Sequence, residues 1–183
     1  YNEKTNRFSV SFSSEQVNPE IRYTTDGTDP SITSARYRKP FYISKTATIK
    51  AAVFKDGKMM GTPSVKEIGI TLATGKKVTY NEPYSPKYKA CEESTLVNGI
   101  MGSPRLDDGQ WQGFEGNNMD VVIDLGKETE FTNITADFLS APGSWVFLPE
   151  KVTFYISPDS KNYTQAGSRI TAIKPMDQIN QRV

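Results

Sequence analysis

The chain has 183 residues, 36% hydrophobic and 23% charged, with 13 glycines and 11 prolines, the profile of a turn-rich globular protein with room for two domains of about 80 to 110 residues. Its 22 basic and 21 acidic side chains leave a net charge of +1 with no run of either sign, so nothing in it reads as a nucleic-acid footprint. The absence of histidine removes histidine-based triads and most zinc sites, and the single cysteine, Cys91, read as a small buried hydrophobe, excludes an intrachain disulfide.

The first predicted strand is RFSVSFSS, where Phe8, Val10 and Phe12 alternate with serines at the period of a half-buried strand. EIRYTT continues the rhythm with Ile21, Tyr23 and Thr25. Two acids follow at once in DGTDP. Asp26-Gly27 suits a tight turn, Asp29 can accept backbone N–H groups and Pro30 stops the strand, so these acids are expected to close a turn. Glycosidase acid–base chemistry needs two carboxylates facing each other across a cleft, and one turn supplies no cleft. TATIKAAVFKDGK places Ala47, Ile49, Ala51 and Val53 on one face before turning at Asp56-Gly57, and KEIGITLA adds Ile68, Ile70 and Leu72. Short strands with no amphipathic helix between them predict a small antiparallel sandwich over residues 1–75.

Residues 73–88, ATGKKVTYNEPYSPKY, lack periodicity and read as a boundary followed by an entry loop. A second domain is predicted over 76–183, with strands in MDVVIDLG (Met119, Val121, Ile123 and Leu125 on one face), TNITADFL (Ile134, Ala136, Phe138) and KVTFYIS (Val152, Phe154, Ile156). Asp120, Asp124 and Tyr155 are expected on wet faces. Before those strands runs the long loop LVNGIMGSPRLDDGQWQGFEGNN, the kind of segment on which binding residues concentrate. No stretch approaches the ~18 apolar residues of a membrane span, and YNEKTNRFSV does not read as a signal peptide.

These phrases carry two resemblances. YTTDGTDP at 23–30, Tyr37-x-x-Pro40-Phe41 and TATIKAAVFKDG at 46–57 resemble the small immunoglobulin- or fibronectin-like β-sandwich that follows the catalytic barrel in bacterial chitobiases and β-hexosaminidases. TLVNG at 95–99, WQGF at 111–114, VVIDLG at 121–126 and VTFYISPDSKNY at 152–163 resemble a discoidin-like (coagulation factor 5/8 type C) jelly roll. Their order, with DDGQWQGFEG and GSWVFLP, is similar to the C-terminal region of family 20 glycoside hydrolases from Bacteroides-type bacteria. The fold expected is therefore all-β: two antiparallel β-sandwiches, the second lacking the family's closing strands at its C-terminus. The resemblance implies a parent β-N-acetylhexosaminidase in the periplasm, on the outer membrane or secreted. None of the parent's catalytic residues lies in this span, so the partners implied are a glycan and the parent's barrel.

Candidate site residues concentrate in the loop. Trp111, Phe114 and Trp145 can supply flat aromatic faces for a sugar, with Arg105, Gln112, Glu115 and Asn117 gripping its hydroxyls, or the aromatics can be core and rim packing. The discoidin-like resemblance implies a structural calcium, for which Asn98, the Gly99 carbonyl, Asp107 and Asp108 offer oxygens, although Asn98 stands where many such domains carry an aspartate. The competing reading is that these are solvated loop acids. Accessory glycan binding, structural spacing and protein adhesion are the functions to separate; catalysis by the chain itself would need paired acids or an activated nucleophile that the motifs lack.

Overall fold

The structure, a computed structural model, describes residues 1–2, 4–171 and 179–183, and for 179 and 180 the backbone alone. Among the described residues all regular structure is β-strand or short 3₁₀ turn, and the strands pair antiparallel throughout, as the alternating patterns predict. None of the described helices is long and apolar enough to cross a membrane. The chain divides into two compact units, one of Tyr1–Gly75 with Val97–Met101, the other of Lys76–Leu96 with Gly102–Val183.

Unit 1 contains β1 (Phe8–Val10), β2 (Glu20–Thr24), β3 (Ala35–Arg36), β4 (Phe41–Ile43), β5 (Ala47–Lys55) and β6 (Lys58–Ile68). They form a four-stranded sheet in the order β3-β2-β5-β6 and a two-stranded sheet β1-β4. Phe8, Val10, Ile49 and Ile68 are buried together, with Phe12, Phe41, Ile43, Ala47 and Ile70 packed around them. Full burial of a phenylalanine, valine or isoleucine such as Phe8, Val10, Ile49 or Ile68 contributes roughly 1.5–3 kcal/mol. The β5–β6 hairpin turns at Asp56 (φ 50°) and Gly57 (φ 76°), the left-handed pair that a two-residue turn demands.

Two expectations shift. Alternation along β5 holds as far as Ala51, but a bulge between Ala51 and Val53 changes the phase, so Ala52 and Phe54 are buried and Val53 is only half-buried. β6 begins at Lys58, earlier than its polar, Gly- and Pro-containing sequence suggested, and ends at Ile68, leaving Leu72 exposed. Val97–Met101 closes over this unit: Gly69 N donates to Gly99 O at 2.8 Å, Met101 N to Glu67 O at 3.0 Å, and Gly75 N to Val97 O at 2.8 Å. Gly99 sits at φ 72°, and a Cβ there would lie 2.6 Å from Phe8 Cζ, so only glycine fits.

Unit 2 contains β7 (Lys77–Tyr80), β8 (Val121–Asp124), β9 (Asp137–Ser140), β10 (Lys151–Ile156), β11 (Thr164–Ile170) and β12 (Ile179–Arg182), paired β7-β8, β12-β9 and β10-β11. Its described buried hydrophobics are Leu139 and Ala141, joined by Ser85, Thr95, Ser140 and Thr171. The expected inward faces are thinner than the alternation implied. Met119, Ile123 and Ile134 are exposed, and in β9 the buried hydrophobic is Leu139 in place of Phe138. In β10 a register shift between Phe154 and Tyr155 turns Ile156 outward, while Tyr155 is exposed as expected.

Candidate functional site

Trp145, the more exposed of the two tryptophans, sits on a turn bonded at both legs. β9 runs into a 3₁₀ turn, Pro142–Ser144, where proline presets the first helical φ and also removes a donor that would have no partner. Ala141 N donates to Val146 O at 2.9 Å, Val146 N to Ala141 O at 3.2 Å, and Trp145 N to Pro142 O at 3.0 Å. The base is buried at Ser140 and Ala141, and the return leg is clamped where Thr171 N and Oγ1 donate to Glu150 O and Pro149 O. Trp145 occupies the left-handed region at φ 59° and ψ 30°, a conformation that costs a non-glycine residue about 1 kcal/mol or more. Its side chain is 85% exposed, and Phe147, 63% exposed, stands perpendicular to it with ring centroids 6.4 Å apart. Leaving an aromatic ring in water forgoes roughly 2–3 kcal/mol of burial. Packing within the described chain therefore does not explain this pair.

A second feature gathers residues far apart in sequence. Pro83, Tyr84, Ser85, Pro86, Glu115 and Asn117 line an open recess of about 220 Å³. Ser85 is buried, caps the Pro86–Tyr88 3₁₀ turn by accepting from Lys87 N, and donates to Glu115 Oε2 at 2.5 Å. That hydrogen bond, with Lys87 Nζ 3.6 Å from Glu115 Oε1, holds the Glu115 carboxyl below the ordinary glutamate range. Asn117 Nδ2 donates to Pro83 O at 2.9 Å. Glu115 is the only acid among the described lining residues, so the recess lacks the carboxylate pair of a two-acid glycosidase.

The other nominated residues build the loop. Trp111 Nε1 donates to Ser103 O at 2.8 Å, and its indole lies so close over Gly102 that a Cβ there would sit 2.5 Å from Cε2. Trp111 and Phe114 are half-buried, and Gln112 accepts from the Tyr80 hydroxyl at 2.8 Å. Arg105 forms a two-point pair with Asp107 at 2.9 and 2.7 Å, which depresses the Asp107 carboxyl. Asp108 accepts from Ser103 N at 2.5 Å, Ser103 Oγ at 2.7 Å and Gln110 N at 2.8 Å, with Gly109 left-handed at the end of the turn.

The four positions offered for calcium are each engaged by partners within their own unit. Asn98 and Gly99 belong to unit 1 and Asp107 and Asp108 to unit 2; Asn98 Oδ1 accepts from Ile100 N at 2.8 Å, and the Gly99 carbonyl accepts from Gly69 N. Among the described residues there is no group of three or more Asp, Glu, Cys or His side chains that could hold a metal ion. Cys91 corrects another expectation: it is exposed, its thiol 3.8 Å from Gly109 O. Asp26 closes its turn as expected, Oδ1 accepting from Thr28 N at 3.0 Å and Thr28 Oγ1 at 2.6 Å, whereas Asp29, expected to accept backbone N–H groups, pairs with Lys50 of β5 at 2.7 Å.

Of the sequence candidates, the structure brings Glu115 and Asn117 to one recess and sets Trp145 on its own turn. Phe147, Tyr84 and Ser85 were not nominated. The signal for Phe147 was available, since Pro-Gly-Ser-Trp-Val-Phe places two aromatics two residues apart beside a turn. Residues 10–68 are similar to a protein-family model described as Fn3 associated, a span that runs from the end of β1 to the end of β6. No curated protein matches the chain.

Proposed function

We propose that this chain is a non-catalytic accessory region of an extracytoplasmic β-N-acetylhexosaminidase, and that the Trp145–Phe147 turn holds glycan near the parent's active site. One observation carries the reading: a tryptophan 85% exposed, at a backbone conformation unfavourable to it, on a turn clamped at both legs. Two perpendicular rings offer a corner against which the apolar face of a pyranose can stack, while its hydroxyls stay in water. Because the clamps fix the platform beforehand, little loop ordering opposes binding. Tethering then raises the local substrate concentration without chemistry in the tether. The chitobiase-like phrases and the Fn3-associated match over residues 10–68 support the accessory placement. The discoidin-like likeness of the second half is part of the same proposal and rests on its sequence phrases.

A second reading rests on a different observation. Unit 2 exposes Ile170 at 75% at one end of the β10–β11 hairpin and Tyr155 at 57% and Ile156 at 42% toward the other, separate apolar side chains that another protein body could cover. A glycan array probed with the whole chain, alongside Trp145→Ala and Phe147→Ala, separates the two. Array signal lost in both variants, with melting unchanged, is expected for glycan holding. A blank array with the intact chain would leave the spacer or adhesion reading. No release of chromophore from a chromogenic N-acetylglucosaminide is expected in either case, and turnover above background would overturn the non-catalytic assignment.

A further inference from the structure

The YTTD phrase does more than close a turn. Together with Ser34, Phe41 and Tyr42 it lines a recess of about 480 Å³ in unit 1, within the size range of small-ligand sites. Two of the lining aromatics, Tyr23 and Phe41, stack at 4.5 Å and 16°. Behind the lining, Phe12 lies 5.5 Å from Tyr23 and 6.0 Å from Phe41, and Tyr37 lies 5.0 Å from Phe12. The rim is polar and open. Thr25 is exposed, Tyr42 is 64% exposed, and Asp26 engages Thr28 through Oδ1, which leaves acceptor capacity on Oδ2.

Charge narrows the ligand class. Asp26 is the only charged residue among the described lining, and its carboxyl is held below the ordinary range by its Thr28 hydrogen bonds, so an anionic ligand would meet repulsion. Strand pairing with a peptide is disfavoured too, because the flanking strands β3 and β4 span two and three residues. An apolar ring face beside hydroxyl and carboxylate acceptors matches a neutral, hydroxyl-rich sugar. We infer that this recess is a second carbohydrate-binding site, one that accepts neutral oligosaccharides independently of the Trp145 turn.

The test is an amide-resolved NMR titration of the whole chain with chitotriose, cellotriose and xylotriose in turn, repeated on Trp145→Ala. Shifts at Tyr23, Thr25 and Tyr42 are expected with at least one of the three sugars, and they should persist in Trp145→Ala. Tyr42→Ala should weaken that binding roughly tenfold or more, as loss of an aromatic anchor does. Tyr42→Phe should stay near the parent affinity, and Thr25→Val gives a second variant at an exposed position. No shifts at these residues with any of the three sugars would overturn the inference. So would shifts that vanish in Trp145→Ala, or affinity unchanged in both Tyr42→Ala and Thr25→Val. Failure here with shifts remaining around Trp145 would leave the proposed function standing.

Discussion

Single residues in this chain divide by whether their conformation serves packing or display. Gly99 serves packing: its left-handed backbone and the 2.6 Å approach of Phe8 Cζ to a Cβ position make Gly99→Ala an overpacking change. A loss of about 2–3 kcal/mol is expected by urea denaturation, against about 1 kcal/mol for Gly57→Ala, whose Cβ would meet open space. Equal losses would mean that backbone strain alone decides both. Trp145 serves display, so Trp145→Gly, which relieves the left-handed strain, is expected to leave stability unchanged or raise it by up to about 1 kcal/mol while removing glycan retention. A clear drop in the melting temperature would make the indole a packing element instead. Asp159 shows the same logic in a turn: Asn162 N and Lys161 N, then Asn162 Nδ2 and Ser157 Oγ, donate to its carboxylate and drive its pKa well below the ordinary value. A depressed carboxyl stabilises the fold above its unfolded pKa near 4 and loses that contribution as pH falls toward the folded value. A carboxyl titration followed by NMR should place the Asp159 midpoint well below 4; a midpoint near 4 would show that the turn does not hold the carboxylate.

Among elements, the sequence disclosed strands wherever alternation was uninterrupted, and it misled where a bulge reset the phase. RFSV and EIRYT became β1 and β2, and Asp56-Gly57 closed the hairpin, because left-handed turn chemistry is local and residue-specific. The inward face of β5 beyond Ala51 and that of β10 beyond Phe154 were not legible, since each depends on a mismatch with a neighbouring strand that no single segment reveals. β6 was hidden for a related reason. As the edge strand of its sheet it is exposed along nearly its whole length, so it has little apolar period to show. Gly61 and Pro63 lie in the stretch where its register with β5 shifts, and they interrupt a flat edge that could template another chain. Pro63→Val is therefore expected to raise self-association measured by light scattering; a monodisperse monomer at the same concentration would show that the bulge alone protects the edge.

For the molecule as a whole, the two units differ in how much they bury. Unit 1 encloses a contiguous aromatic and aliphatic core, while among its described residues unit 2 buries only Leu139 and Ala141 as hydrophobics. Hydrogen exchange should therefore find the most protected amides in β5 and its neighbours β2 and β6, and faster exchange in β10 and β11. Uniform protection across both units would contradict that difference. The candidate site was legible in part for the same physical reason. Tryptophan and glycine-rich loops stand out in any sequence, so Trp145 could be nominated, but whether a ring is displayed or packed depends on long-range burial, and that placed Trp111 in the loop's own structure. The calcium expectation rests on a family phrase whose Asn98 and Gly99 oxygens accept from Ile100 N and Gly69 N; an ion held there would raise the melting temperature when calcium is added, and a melting temperature unchanged by calcium and by a chelator would rule it out. The most direct measurement of glycan display uses the two tryptophans of the chain, whose indole N–H signals can be followed by NMR while an N-acetylglucosamine trimer is added. The Trp145 signal is expected to shift while that of Trp111, donated to Ser103 O, stays in place. A stationary Trp145 signal, or movement of Trp111 alone, would contradict a glycan site on this turn.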